Sequence, residues 1–251
     1  PLTATLVPPC ITIVIQLCEM LLSLEEGVKS FSVSFSQTGS MIQDIVTANV
    51  LRKMAKHYAE QIGCGDAMIN LVYHQWMGAF PSNKDFSESL INTSTVIASM
   101  VRADKIITKT RDEAFGIPTR ESNAKTVANT QYTLRMLQGI PNITDEQEEE
   151  IVTSEVMSIM EAVFNDKADT LWRKVFNSIK SGIIDVPYSP HIINHNEVVT
   201  VRDKNKNIRI IKKGNLPISD RCFEYEKAQC DLNKDASSIV NDIIHDIGIM
   251  Q

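Results

Sequence analysis

The chain has 251 residues, 43% hydrophobic and 22% charged, enough for one large domain or two small ones around a sizeable core. That apolar share excludes a disordered tail, and ten Gly with nine Pro exclude collagen-like or linker-like sequence. A net charge of -6 and a pI near 5.4 argue against a general binder of nucleic acid or anionic membranes.

Pro1-Leu2-Thr3 carries no signal or transit pattern and does not begin with Met, so the sequence is expected to start inside a longer chain. Pro8-Pro9 opens a helix to about Glu26, with Gly27 as its stop. Its greasiest part, Cys10 to Leu22, is too short to span a bilayer and holds Thr12, Gln16 and Glu19, so it reads as a core helix. Ser30 to Ser36 alternates Phe31, Val33 and Phe35 with serines, the period of a strand. A turn at Thr38-Gly39-Ser40 leads into a helix ending at Ile62-Gly63. The cycle repeats: strand Ala67 to His74, a loop, helix Asp85 to Arg102. It repeats again: strand Lys105 to Lys109, a loop, helix Thr119 to Leu137. Three strand–loop–helix units imply a parallel sheet with helices outside.

The pattern then changes. Thr144-Asp145-Glu146-Gln147 fits a capping box for a helix to Phe164, and the acids of its first turn read as a solvated face that suits a helix N-terminus. A helix over Asp169 to Ser181 follows. Val198 to Arg202 and Ile208 to Lys212 flank a five-residue loop as a hairpin, and two short helices are expected near Ser219 to Cys230 and Ala236 to Ile247.

Three βα units cannot close a barrel, and left alone they expose parallel edges. The expected fold class is therefore α/β, the last three strands of a (β/α)8 barrel in residues 1–140. Residues 141–251 are read as a C-terminal helical and hairpin extension. An open doubly wound sheet is disfavoured, since no GxGxxG or GxxxxGK(S/T) loop follows a strand. Five cysteines with no CxxC pair argue against a disulfide framework and for a reduced cytoplasmic setting.

In a barrel the chemistry sits at the C-terminal ends of the strands. The loop from His74 to Pro81 gathers a His, a Gln, a Trp, a Met and a Phe. It suits either a wall for a large planar ligand or a hydrophobic plug, and composition does not separate the two. His74 has no partner at ligand spacing and reads as a hydrogen-bonded structural His. His191 and His195 are four apart, but no cysteine or carboxylate pattern completes a metal site. The next loop places Lys109 and Glu113 four residues apart, a pair able to bind a ribose diol or merely each other. On the residues alone the simple ion pair is favoured. Gly116 and Pro118 shape the chain around Ile117 for close backbone approach.

At these loops a family is recognisable. Residues 1–9 (PLTATLVPP), 41–45 (MIQDI), 74–81 (HQWMGAFP) and 113–119 (EAFGIPT) resemble the large (epsilon) subunit of glutamate mutase, also called methylaspartate mutase. The likeness extends through Val201-Arg202-Asp203 and Gly214-Asn215 and covers most of the chain. It implies an adenosylcobalamin-dependent isomerase interconverting L-glutamate and threo-3-methylaspartate, with a (β/α)8 large subunit that dimerises. A separate cobalamin-binding small subunit is implied as partner. The same resemblance implies that the cofactor lies between the two and that a 5'-deoxyadenosyl radical abstracts a substrate hydrogen within the barrel.

Position by position, the cobalamin contacts of the family fall on Phe80, Lys109, Glu113 and Ile117, with Lys109 and Glu113 on the adenosyl ribose and Met77 near the reaction chamber. Thr38, Ser40, Ala79, Arg111 and Asp112 depart from the usual residues. The substrate-carboxylate arginines and the catalytic glutamate of the family belong to the first half of the barrel, and nothing here matches them. Asp242 to Gly248 is a near miss to the cobalamin-ligand motif DxHxxG, which belongs to the small subunit. Two further readings are a non-catalytic interaction module and a related mutase acting on another amino acid. Sequence upstream of residue 1 separates the module, and substrate profiling the related mutase.

Overall fold

The computed structural model describes residues 6–230. Their order is α1 (Pro9–Glu25), β1 (Ser30–Ser36), α2 (Met41–Gln61), β2 (Met68–His74), α3 (Lys84–Met100), β3 (Lys105–Ile107), α4 (Arg120–Met136), α5 (Glu146–Phe164), α6 (Leu171–Lys180), β4 (Val199–Arg202), β5 (Ile208–Lys212) and α7 (Asp220–Ala228). The helix expected near 236–247 and the near-miss motif lie outside the described residues. β3 is two residues shorter than its apolar pattern suggests, and the remaining elements fall within two residues of expectation.

β1, β2 and β3 form a parallel sheet in that order. Parallel neighbours need crossovers, which α2 and α3 supply. The sheet is two-faced. Phe31, Val33 and Phe35 lie beside Ile69, Leu71 and Tyr73 in register, and this face joins the core with α1 and α2. Ser30, Ser32 and Ser34 alternate onto the other face with Met68 and Asn70, which is exposed or half-buried. Among the described residues β1 is an edge strand, and α1 covers it: the Ser34 N–H donates to Gln16 Oε1 at 2.7 Å. A sheet edge left without such a partner invites wrong pairing.

α1 is apolar nearly all round, as a helix buried on several sides must be. It contacts β1, α2, α5 and α6, and Cys10 and Cys18 are buried in it. The N-terminus of α5 differs from the capping box read in the sequence. Asp145, not Thr144, is the cap, and its carboxylate accepts from the Glu148 N–H at 3.0 Å. The solvated-face reading also fails for one residue of that turn, because Glu148 is buried.

Glu148 is buried because the antiparallel hairpin β4–β5 delivers a cation to it. Arg209 Nη1 donates to both Glu148 oxygens at 2.7 and 2.9 Å. Its Nε donates to Asp203 at 2.9 Å and its Nη1 to Glu226 at 3.1 Å. One guanidinium thus joins α5, the hairpin and α7. Burial opposes its charge, but Glu226 and Glu148 together hold its pKa above the usual range. Burial pushes the Glu226 carboxyl up to about 7 although Arg209 pulls the other way.

Candidate functional site

The loops after β2 and β3 enclose an open cavity of about 570 Å³. Met77, Ala79, Phe80, Lys109, Glu113 and Phe115 line it. Lys109 Nζ stands 3.4 Å from Glu113 Oε2, with the side chains 25% and 22% exposed. That separation is loose for a charge-assisted hydrogen bond, so both groups keep bonding capacity toward the cavity. Glu113 Oε1 also accepts from the Thr110 N–H at 3.2 Å. Three of the four expected cofactor positions, Phe80, Lys109 and Glu113, therefore meet in one cavity, as does Met77. Ile117 does not line it: the side chain is 99% exposed, just beyond Gly116, whose φ of 120° favours glycine.

The Lys109–Glu113 loop is stapled to α3 by its two unusual residues. Arg111 Nη1 pairs with Glu88 at 3.1 Å and Asp112 with Lys84 Nζ at 2.8 Å. Lys84 also sits 5.2 Å from the ring centre of Phe115. Hydrogen bonding to Lys84 lowers the Asp112 pKa, and hydrogen bonding to Lys125 lowers that of Glu88. The departures at Arg111 and Asp112 thus fix the loop without entering the cavity.

The aromatic loop divides between the two readings of its composition. Trp76 is the plug: it is 3% exposed and its indole N–H donates to the Ala79 carbonyl at 2.9 Å. Phe80 and Met77 face the cavity. Gly78 makes the fold-back possible, since a Cβ there meets the indole at 2.7 Å. Gly78→Ala is expected to cost about 1–3 kcal/mol, read by denaturant unfolding, with a change in Trp fluorescence as the indole shifts. An unaltered spectrum and midpoint contradict this packing.

The loop after β1 carries a buried acid. Asp44 Oδ1 accepts from the Thr38 N–H at 2.8 Å and the Thr38 hydroxyl at 2.7 Å. Its Oδ2 has no hydrogen-bond partner among the described residues. Burial raises its pKa to about 7, against the opposing pull of Thr38 and Arg202. The hairpin locks the same loop: Arg202 Nη2 donates to the Thr38 carbonyl at 2.7 Å and Ser40 Oγ to Asn207 Oδ1 at 2.6 Å. Gln43 bonds both backbone groups of Ile208, at 3.1 and 2.8 Å.

A raised folded-state pKa favours the protonated form, so this stability is complete below the unfolded carboxyl pKa of about 4 and is lost as pH climbs through the folded value. Unfolding free energy is therefore expected to fall between about pH 4 and 7. Asp44→Asn should flatten part of that slope and gain about 1–3 kcal/mol at pH 8. Chemical denaturation across pH measures it, and an unchanged slope counts against a neutral Asp44.

His74 is half-buried at the end of β2, and burial lowers its pKa. His195 Nε2 lies 2.7 Å from the Lys180 carbonyl, while His191 Nδ1 accepts from the Ile193 N–H at 3.3 Å. These are structural contacts. The residues missed in the sequence are Gln37 and Gln75, both buried. Their signal was positional, because each directly follows a strand of the repeat.

Residues 1–238 match the family described as Methylaspartate mutase E chain. The glutamate mutase epsilon subunit of Treponema denticola is 36% identical over 233 residues, covering 91% of this chain and 48% of that protein. The epsilon subunit of Escherichia coli O157:H7 is 35% identical over 254 residues, covering 98% of this chain and 53% of that protein. The chain spans about half the length of these curated relatives. With a family match that runs nearly end to end and candidate residues gathered at one strand-end cavity, this chain belongs to the methylaspartate mutase E chain family.

Proposed function

We propose that this chain forms the C-terminal half of the large subunit of an adenosylcobalamin-dependent glutamate mutase. Residues 1–140 then supply the last three βα units of a barrel and residues 141–251 a C-terminal extension, whose hairpin braces them. The observation that carries this reading is the meeting of Phe80, Lys109 and Glu113 in one cavity. The donor set fits an adenosyl ribose. An ammonium donates, a carboxylate accepts, and a vicinal diol needs both.

Phe80 offers an apolar wall, and exposed Phe115 and Ile117 extend it at the rim, where a cobalamin-carrying subunit would dock. When bound, the cofactor would supply the radical chemistry that side chains lack. The residues of this chain bind the nucleoside, orient it and help exclude water. The substrate is glutamate or 3-methylaspartate, and its carboxylate-binding groups belong to the other half of the barrel.

The test is formation of 3-methylaspartate from glutamate by the complete large subunit with its small subunit and adenosylcobalamin. Turnover is expected there and none from residues 1–251 alone under the same conditions. Turnover by these residues alone, or none by the complete pair, defeats the proposal.

A further inference from the structure

Two glutamines occupy matching places in successive repeats. Gln37 follows β1 and Gln75 follows β2. Each backbone N–H donates to the last carbonyl of the next strand: Gln37 to His74 at 3.0 Å, Gln75 to Ile107 at 3.2 Å. Each side-chain carbonyl then accepts from the N–H two residues further on. Gln37 Oε1 takes the Trp76 N–H at 3.2 Å and Gln75 Oε1 takes the Lys109 N–H at 2.8 Å.

The carboxamide thus stands where another strand carbonyl would be and adds one rung to the ladder after the strands have ended. Both rungs are anchored from α3. Gln75 Nε2 donates to the Ile91 carbonyl at 3.3 Å and to Thr95 Oγ1 at 3.2 Å, while the Ser94 hydroxyl donates to Gln37 Oε1. Gln75 has no exposed surface, so water does not compete for its bonds.

We propose that Gln75 is a positioning residue that sets the Lys109–Glu113 pair through the backbone of Lys109. The claim rests on the cofactor reading above for its consequence, though not for its geometry. Lys109 follows a strand of only three residues, so the sheet itself holds it weakly. The Gln75 rung fixes its amide, and the turn closed by Thr110 and Glu113 then sets where the ammonium meets the carboxylate. Gln37 does the same for Trp76 and leaves Lys109 alone.

Amide hydrogen exchange on the 251-residue chain reads the geometry. Gln75→Met, which keeps length and removes the acceptor, should speed exchange at Lys109 about ten-fold. Gln37→Met should speed it at Trp76 and not at Lys109. Unchanged Lys109 exchange in Gln75→Met, or equal loss at Lys109 in both variants, overturns the proposal. If Gln75→Met does not fold, Thr95→Val removes one anchor of the carboxamide and should give the same change at about three-fold. No change at Lys109 in that variant is equally fatal.

In the large subunit assembled with its small subunit, Gln75→Met should weaken adenosylcobalamin about ten-fold. Methylcobalamin, which has no ribose above the cobalt, should bind as in the wild type. Glu113→Gln separates the two layers. If that variant does not discriminate the cobalamins, the ribose reading fails. If it does and Gln75→Met does not, the positioning role fails.

Discussion

Arg209→Met is expected to lower the unfolding free energy by about 3–5 kcal/mol. The guanidinium is buried with Glu148, Asp203 and Glu226, each side chain no more than 5% exposed. Removing the cation that these three share, the one ion-paired to them among the described residues, leaves buried carboxylates without a compensating charge there, which costs far more than the pair itself contributes. Asp203 is the best protected, because its oxygens also accept from Asn205 and Asn207 within the hairpin loop. Glu148 retains the Tyr225 hydroxyl at 2.9 Å. Glu226 is already pushed up to about 7 and can take a proton. Glu226→Gln should therefore cost much less, and the loss in Arg209→Met should shrink at acid pH. Denaturant titration at pH 5 and pH 8 measures both. A loss under about 1 kcal/mol, typical of exposed pairs, contradicts a compensating role for Arg209.

Lys109→Met and Glu113→Gln should each weaken adenosylcobalamin binding by about ten-fold or more in the assembled enzyme. In the proposed site each removes one charge-assisted bond to the ribose and frees its former partner. The double variant should fall short of the product of the singles, since the two groups share one ligand and one contact. Equilibrium titration of the cofactor gives all three values. Strictly multiplicative losses, or unchanged affinity in either single variant, count against a shared ribose site.

The sheet and its helices were legible because their signals are local. Serines alternating with Phe31, Val33 and Phe35 fix a strand and the side that it buries, and Gly27 and Gly63 mark helix ends at positive φ. The Lys109–Glu113 pair was legible as spacing, but its setting was not. Whether Trp76 faced a ligand or the interior depended on Gly39 and Gly78 approaching its ring. Neither contact follows from composition. Glu148 looked like one more acid of a solvated turn, because its partner lies 61 residues away. Gln37 and Gln75 were overlooked since a glutamine beyond a strand resembles any polar loop residue. Only the pairing of neighbouring strands gives their carboxamides a backbone partner.

The most direct measurement is a crystal structure of the large and small subunits together with adenosylcobalamin. The ribose hydroxyls should lie within hydrogen-bond distance of Lys109 Nζ and the Glu113 carboxylate, with Phe80 against the nucleoside. A ribose held by other groups, with Lys109 still turned to Glu113 and Glu113 to Lys109 and the Thr110 N–H, contradicts the proposed site.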